Sequence, residues 1–346
     1  MKYKIGLDIS GGDHAPEEIF KGALLARKQF KDDIVLIGVQ SEIEEQIRKH
    51  NVDAGRFTIV DAPEKIGMGE SPATSIRKKR NSSITIGMKM LRDKKIDAFV
   101  SCGNTGAAVC GATLQVGLME GVERPGIGLV IPTKKGISMI VDVGANIDPK
   151  PIHLFQYGIM ASVYANLVLG KNNPKVGLLN IGEEESKGPE YIRSVHKLFA
   201  ETNVNFIGNL EAKDIFSGLC DCIVCDGFVG NVALKVSEGV AETMGKFLLD
   251  EIKKGFIGKI GLLLIMNSLK RVKRLMDYSE HGGAMLLGVD GIVIIGHGRS
   301  NALAVKNAVR VAIQELTHDV NLQMKTSINA ICSSPKVQQT LGALGA

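Results

Sequence analysis

The feature that most constrains the fold is a pattern that recurs six times: a short apolar run followed at once by a polar turn that contains glycine. The six stretches are residues 4–16, 97–111, 137–146, 176–188, 222–235 and 291–302. Short apolar runs of this kind are typical of buried strands, and runs with helical spacing lie between most of them. Alternating strands and helices predict a mostly parallel sheet covered by helices on both faces. We therefore expect an α/β protein with a three-layer α/β/α architecture.

The six polar turns are expected to form a binding site. Strands of a parallel sheet point their carboxyl ends at one edge, where ligands bind in open α/β sheets. Glycines such as Gly103 and Gly106 let the backbone approach a ligand closely, and helix starts offer unpaired N–H groups that attract anions. We therefore expect all six turns to gather along one edge of the sheet and to hold an anion. Any one turn alone is explained equally well as an ordinary strand-to-helix connection.

Two segments outside this pattern are expected to lack regular structure. Residues 68–83 are rich in turn-forming residues, which predicts a loop with a short basic segment. The tail from about Asn321 ends in LGALGA and is expected to be loose. No low-complexity linker divides the chain, so residues 1–346 are expected to form one α/β unit, either as a single body or as two lobes.

Residues 246–277 differ from the rest of the chain in charge and in hydrophobic pattern. They contain eight Lys or Arg and three Asp or Glu, so their net charge equals the +5 of the whole chain. Glycines divide them into two amphipathic halves, which predicts a protruding, basic helical hairpin. Such a segment fits an anionic membrane surface, a dimer interface or a lid over an apolar ligand, and all three interpretations stay open. Its candidate contact residues are Leu263, Lys270, Arg271 and Arg274.

Several classes of protein are disfavoured by the sequence. The longest fully apolar run, residues 262–266, is far shorter than the roughly 20 residues of a membrane-spanning helix, and from the residues before Asp8 we expect no signal peptide. The six cysteines lack a disulfide spacing, so we expect a cytoplasmic protein in a reducing compartment. The chain has no P-loop and no complete dinucleotide fingerprint, and its cysteines lack zinc spacing. We therefore expect no metal and no cofactor.

A short basic run lies within the loop predicted for residues 68–83. It suits an acidic protein partner or an anionic substrate, or else it forms a solvated helix face. Nucleic acid is not an expected partner, because aromatic residues are few and the rest of the chain is nearly neutral. The run consists of Arg77, Lys78, Lys79 and Arg80.

Two other polar positions offer chemistry, each against a simpler interpretation. Lys187 follows a strand in a loop with three glutamates, where it could hold a phosphate or polarise a carbonyl. The simpler interpretation is a solvated charge paired with Glu183 or Glu184. His14 beside Asp13 is either a site residue or an ordinary turn residue.

Several short motifs occur in an order that resembles one known family. They are GGDHAP (11–16), SCGNTGA (101–107), ERPG (123–126), VDVGAN (141–146), LLNIGEE (178–184), CDGFVGN (225–231), LLG (286–288) and GHG (296–298). As an ordered set covering residues 4 to about 312, they resemble the bacterial phosphate acyltransferase family of phospholipid synthesis, the acyl-ACP:phosphate acyltransferases.

The resemblance implies an enzyme in which inorganic phosphate attacks the thioester of a fatty acyl chain on acyl carrier protein, giving acyl phosphate. It implies a homodimer with a fold akin to isocitrate and isopropylmalate dehydrogenases and to phosphotransacetylases. Acyl carrier protein and phosphate are the implied partners, without a cofactor. Because the product is greasy and labile, we also expect peripheral association with the inner face of the cell membrane, next to a downstream membrane acyltransferase.

The site residues are expected within these motifs. The expected catalytic residues are Asn104, Lys187, Asp226 and Asn231. The expected substrate-binding residues are Asp8, Gly12, Asp13, His14, Gly103, Thr105, Gly106, Arg124, Asn146 and Gly230. In this scheme backbone N–H groups, Asn104 or Lys187 stabilise the oxyanion of the reaction.

Two other functions are alternatives to this one. A metal- and NAD-dependent decarboxylating dehydrogenase of the same fold needs aspartate and arginine clusters that the sequence does not present as sets. A non-catalytic membrane scaffold would act through the hairpin alone, and substitution of Asn104 or Lys187 by alanine would leave its activity unchanged.

Overall fold

The computed structural model describes residues 2–276 and 282–344, and within them eleven strands form one sheet. The strands are β1 (Lys4–Asp8), β2 (Asp33–Gly38), β3 (Thr58–Asp61), β4 (Ala98–Ser101), β5 (Gly126–Thr133), β6 (Gly136–Val141), β7 (Val176–Leu179), β8 (Phe206–Leu210), β9 (Cys222–Val224), β10 (Ala284–Leu287) and β11 (Ile292–Ile295). Their order in the sheet is β3-β2-β1-β4-β11-β10-β5-β6-β9-β7-β8. Seven of the ten neighbouring pairs are parallel, which confirms the predicted, mostly parallel α/β sheet.

Three antiparallel pairs reverse the direction of half the sheet. β10 runs antiparallel to β11, β5 to β10, and β6 to β5. As a result β1, β4 and β11 end at one edge, which we call the first edge, whereas β6, β7 and β9 end at the opposite, second edge. The expectation that all six turns gather along one edge is therefore wrong, because the turns form two groups of three. The physical reason is that β5–β6 and β10–β11 are hairpins, with no crossover helix to keep their strands parallel.

Helices cover both faces of the sheet and complete the predicted three layers. In the described ranges they are α1 (Glu17–Gln29), α2 (Gln40–Lys49), α3 (Pro72–Lys78), α4 (Ser83–Arg92), α5 (Thr105–Gly111), α6 (Pro151–Leu167), α7 (Glu190–Ala200), α8 (Gly227–Lys253), α9 (Phe256–Met276), α10 (Ala302–Thr317), α11 (Val320–Cys332) and α12 (Pro335–Ala343). One face packs against α1, α2, α6, α7 and α10 to α12, around Phe20, Phe155 and Phe199. The other face packs against α3, α4, α5 and the start of α8, around Phe99.

The tail that was expected to be loose forms α11 and α12, so that prediction is wrong, whereas residues 68–83 contain the helix α3 between two non-helical stretches, so the predicted loop is only partly correct. In the tail, Val320, Met324 and Ile328 recur every four residues and are buried in the core, which anchors α11. In residues 68–83, Pro72 occupies the first turn of α3, where a proline costs no hydrogen bond. A proline at that position starts a helix, although the sequence alone indicates a turn former there.

The protruding hairpin consists of α8 and α9, joined at Lys254 and Gly255. Residues 246–277 contain only the last eight of the 27 residues of α8, because this helix begins in the body of the protein at Gly227. Lys270 and Arg271 are exposed on α9. The side chains of Leu263 and Arg274, and the whole of Asp277, lie outside the described residues. In the described ranges, none of the helices combines the length and the hydropathy needed to span a bilayer.

Glu315 on α10 is a buried carboxyl group whose ionisation should set the pH dependence of stability. Burial raises its pKa to about 8 from an ordinary value of 4.5. Between these two values the folded protein retains a proton that the unfolded chain has lost. The free energy of unfolding therefore falls as the pH rises from about 4.5 to about 8, by at most roughly 1.4 kcal/mol per pH unit.

We expect Glu315→Gln to make this slope shallower by the contribution of Glu315, since glutamine does not ionise, whereas the buried Asp8 and Asp142 keep their own contributions. Urea denaturation at pH 5, 7 and 9 measures the slope, which is informative even if the amide lowers stability equally at every pH. Glu45→Gln, on an exposed glutamate, is the matched control and should keep the wild-type slope. A wild-type slope in Glu315→Gln would show that other groups govern the pH dependence.

Candidate functional site

The buried carboxylate of Asp142 organises the second edge. Its two oxygens accept backbone N–H groups of Ile127, Gly144, Ala145 and Asn146 at 2.7 to 3.0 Å. Burial raises the pKa of Asp142, whereas the four donors favour the charged form and oppose this shift. The carboxylate thus ties the start of β5 to the turn after β6.

The first turn of α8 docks directly on this loop. A Cβ at Gly230 would collide with the carbonyl oxygen of Asp142, and a Cβ at Gly227 would lie 2.7 Å from the backbone oxygen of Asn146. Only glycine allows the helix to approach so closely. The predicted substrate-binding residues Asn146 and Gly230 therefore meet here, Asn146 in the loop and Gly230 in the helix.

Asp226 fixes the N-terminus of α8. One carboxylate oxygen accepts the N–H of Val229 at 2.9 Å, and the other accepts the hydroxyl of Tyr191 at 3.1 Å. Burial and the neighbouring Asp226 together raise the pKa of Tyr191 to about 12, so the phenol stays a proton donor. Both oxygens of Asp226 are thus occupied in holding the helix that carries Asn231.

Asn231 and Lys187 are both exposed at the second edge. The side chain of Asn231 lies over Gly144, in the turn after β6. The backbone of Lys187 is held by Asn180 at the end of β7, whose amide donates to the Lys187 carbonyl at 3.0 Å. The Lys187 ammonium makes no hydrogen bond or ion pair with any residue in the ranges 2–276 and 282–344, and the nearby Glu183 pairs with Lys213 instead.

A second polar cluster lies at the same edge beneath Arg124. The N–H of Lys150 donates to Nδ1 of His153, which leaves the ring proton on Nε2, 3.3 Å from a Glu123 oxygen. Burial lowers the pKa of His153, and the charge on Arg124 adds to this effect. Arg124 itself is exposed. Because the charge of Arg124 lowers the pKa of His153, its guanidinium lies near this ring at the second edge, on the same side of the sheet edge as Asn146.

The first edge is organised by another buried carboxylate, that of Asp8. The hydroxyl of Ser101 donates to it at 2.7 Å, and the N–H of Ser10 donates at 3.1 Å. Burial raises the pKa of Asp8, and hydrogen bonds from Ser83 and Ser101 oppose the shift. Gly103 lies so close to Gly11 that a Cβ on Gly11 would clash with it. Asp8 and Gly103 therefore hold the ends of β1 and β4 together.

Asn104 serves the architecture of the first edge. Its side-chain oxygen accepts the N–H of Ala107 and caps α5, while its amide nitrogen lies 3.0 to 3.1 Å from the carbonyl oxygens of Gly67, Met68 and Glu70. An amide nitrogen has two hydrogens, so these three acceptors leave none for a substrate in this conformation. A catalytic role for Asn104 stays a prediction that would require the 67–70 loop to move.

The remaining predicted residues of the first edge line its surface. Gly12 has a φ of 112° and packs against the backbone of Cys102 and Gly298. Gly106 contacts Pro72 so closely that no side chain would fit. The exposed members of this group are Asp13, His14 and Thr105.

The start of α8 connects the two groups of turns. The helix begins at the second edge, and by Lys235 and Glu238 it is close enough to His297 at the first edge to influence the pKa of that ring. Burial is the larger cause and lowers this pKa. Eight helical residues span about 12 Å. The first turns of α8, residues 227–238, thus connect the two edges, and the surface along these turns is called the cleft below.

Four residues of this region escaped the list of sequence candidates: Asp142, His153, Tyr191 and His297. Asp142 and His297 lie inside the quoted motifs and could have been found there. His153 and Tyr191 lie on α6 and α7, outside any motif, and only folding brings them to the second edge. Among the described residues, no three His, Cys, Asp or Glu side chains form a group that could hold a metal ion.

The basic run at the end of α3 and in the loop that follows it contains residues with different contacts. Lys79 forms an ion pair with Glu70 at 2.6 Å. Arg77, Lys78 and Arg80 are exposed.

Comparison with known proteins places the chain within one family. The family described as "Fatty acid synthesis protein" matches residues 3–323. The chain is 45% identical to a phosphate acyltransferase from Pelotomaculum thermopropionicum over 328 residues, 95% of this chain and 96% of the relative. It is 46% identical to a phosphate acyltransferase from Dictyoglomus turgidum, over 95% of this chain and 98% of that relative.

Among solved structures, a phosphotransacetylase from Streptococcus pyogenes shares the fold. The two superpose with a TM-score of 0.64 at 16% identity, covering 91% of this chain and 94% of the other. This similarity confirms the predicted fold type.

The close contact between Gly230 and Asp142 leads to a stability prediction. We expect Gly230→Ala to lower the free energy of unfolding by about 1–3 kcal/mol, because the methyl group forces α8 away from the Asp142 loop. Urea denaturation measures the loss, and hydrogen exchange should show faster exchange for the amides of residues 226–231.

Gly245→Ala is the control on the same helix, where a Cβ meets nothing within 4 Å. It should leave stability unchanged or raise it by up to about 1 kcal/mol through helix propensity. Equal effects of the two substitutions would contradict a docking role for Gly230.

Proposed function

Because this chain belongs to the fatty acid synthesis protein family and is a phosphate acyltransferase, we propose that it transfers a fatty acyl group from acyl carrier protein to inorganic phosphate. A phosphate oxygen attacks the thioester carbonyl, and the carbon–sulfur bond breaks. The proton of hydrogen phosphate ends on the carrier thiol, and the products are acyl phosphate and free carrier protein. A thiolate leaves readily, so holding the two reactants in position supplies much of the rate.

The observation that carries this proposal is the electrostatic character of the second edge. Lys187 and Arg124 bring two exposed cations to it, and α8 directs its positive N-terminal end there. Neither cation is neutralised by an ion pair with a described residue. Such a surface favours phosphate and also the negative charge that develops on the thioester oxygen.

We assign different roles to the four predicted catalytic residues. Lys187 and Asn231 have exposed polar groups and stabilise the oxyanion or the phosphate directly. Asp226 acts by holding the start of α8, since both its oxygens are engaged. Asn104 supports the first edge, where the acyl thioester enters the cleft.

The deciding experiment follows thiol release from an acyl-carrier protein with and without phosphate. We expect release to depend on phosphate, and we expect Lys187→Ala to lower kcat by roughly 100- to 1,000-fold, the usual effect of removing an oxyanion donor. Lys197→Ala is the matched control, because this exposed lysine lies on α7 and makes no ion pair with a residue that the structure describes. Thiol release that does not depend on phosphate would reject the proposed acyl transfer to phosphate. Equal activity of the two variants would reject the catalytic role of Lys187.

The hairpin supports two further parts of the proposal, a homodimer and a membrane contact. On α8, exposed apolar side chains recur every three or four residues and form one stripe along the helix. The stripe comprises Val232, Val236, Val240, Met244 and Phe247. A continuous stripe of this kind fits the same stripe of a second copy in a two-fold dimer.

On α9, the exposed apolar and basic side chains suit a lipid surface. Leu264 is 81% exposed and Ile260 is 48% exposed, one helical turn apart and close to the joint of the hairpin. Lys259 and Lys254 are exposed beside them. We propose that this end of the hairpin rests on the inner face of the cell membrane, where a downstream acyltransferase takes up the acyl phosphate.

Two substitutions separate these assignments. We expect Leu264→Glu to weaken co-sedimentation with anionic liposomes, because it puts a charge on the apolar contact, without changing the mass in sedimentation velocity. Val240→Glu should do the reverse and yield monomers, because it puts a charge inside the dimer stripe.

Asn267→Glu controls for charge, since it adds the same carboxylate to an exposed polar position of α9. It should affect neither measurement. If Val240→Glu stays dimeric and instead loses affinity for the acyl substrate, the hairpin is a lid over the acyl chain.

A further inference from the structure

We propose that a pocket lined by Arg77, Arg80 and Lys89 is the surface on which an acidic carrier protein docks, an inference that rests on the proposed function. The pocket has a volume of about 330 Å³. It lies where α3 and α4 meet the helical segment that continues α5. None of its lining residues belongs to either edge of the cleft.

The charges around this pocket are not neutralised from within the protein. Its lining contains three cations and no acidic residue. The guanidinium groups of Arg77 and Arg80 make no hydrogen bond or ion pair with the residues that the structure describes. Lys79 behaves differently, because its ammonium is held by Glu70 and by the carbonyl of Lys65, both at 2.6 Å.

The structure therefore redistributes the basic run found in the sequence. Lys79 forms an ion pair with Glu70 in the loop before α3, so its charge is neutralised within the protein. Lys89 from the next helix joins Arg77 and Arg80, and its ammonium reaches the Arg80 carbonyl at 3.5 Å. The functional set is thus a cluster formed by folding, which the linear run only partly contains.

An apolar side chain accompanies these cations. Leu114 is 55% exposed in the pocket wall, whereas Ile76 is buried below it. Protein interfaces combine an apolar centre with a charged rim, and opposite charges steer the partners together. The matching partner is a folded protein with acidic side chains around one apolar side chain, and the acidic acyl carrier protein has this chemistry.

The position of the pocket suits delivery of a thioester to the cleft. α4 begins at Ser83, whose side chain is hydrogen-bonded to Asp8 at the first edge. α3 begins at Pro72, which contacts Gly106 in the first turn of α5. A carrier docked on α3 and α4 therefore lies next to the turns after β1 and β4.

The test is the double variant Arg77→Glu/Arg80→Glu, assayed with two substrates at saturating phosphate. One is the acyl-carrier protein, and the other is the same acyl chain on pantetheine, which lacks the protein. Because two reversed charges repel an acidic surface, we expect the KM for the carrier substrate to rise by about tenfold or more. The kcat/KM for acyl-pantetheine should stay within about twofold, since no cleft residue is altered.

The double variant Lys28→Glu/Lys336→Glu is the matched control. It makes the same change of charge at two exposed lysines on the opposite face of the sheet, and it should leave both KM values unchanged. An unchanged carrier KM in the pocket variant would overturn the proposal. So would an equal rise in both double variants, or an equal loss with acyl-pantetheine.

Binding of apo-acyl carrier protein, followed by fluorescence anisotropy, tests docking without the reaction. We expect weaker binding by the pocket variant and wild-type binding by the control. Equal affinity would overturn the docking surface even if phosphate-dependent transfer is present. Phosphate-independent thiol release by the wild-type protein would reject the proposed function alone, so the two failures are distinguishable.

Discussion

The architecture of the candidate site depends on one ionic hydrogen-bond network, the Asp142 carboxylate with its four backbone N–H donors. Burial raises the pKa of this carboxyl group, the four donors oppose that shift, and the same hydrogen bonds fix the shape of the turn after β6. This turn also presents the backbone oxygens of Asn146 and Asp142, against which Gly227 and Gly230 pack. The Asp142 turn therefore fixes where the first turn of α8 packs, and Asn231 lies over Gly144 in that turn.

The class of the fold could be predicted from the sequence, but the directions of its strands could not. Apolar runs with glycine turns identify strands, and helical runs between them predict parallel neighbours. The exceptions are β5–β6 and β10–β11, whose connections are too short for a helix. Lys134 and Lys135 before Gly136, and residues 288–291, were the available hairpin signals. Because these connections are hairpins, β6, β7 and β9 end at the edge opposite to that of β1, β4 and β11.

The candidate site was predictable only where a motif lies at a strand end. Lys187, Asp226 and Asn231 follow β7 and β9 directly, so they meet wherever those strands end. The engagement of Asn104 with the 67–70 loop depends on a contact between segments more than thirty residues apart. Tyr191 and His153 reach the second edge through α7 and α6, and no local pattern distinguishes them from other helical residues.

The length of α8 has a mechanical consequence. Its 27 residues form a helix roughly 40 Å long. The first turn contacts the Asp142 loop and is capped by Asp226, whereas the residues of the outer half are mostly exposed. A rotation of about 5° at the base displaces the far end of the helix by roughly 3 Å. A displacement of the far end by the same distance likewise rotates the base by about 5°. Whatever grips the outer half thereby sets the angle at which Asn231 faces the cleft.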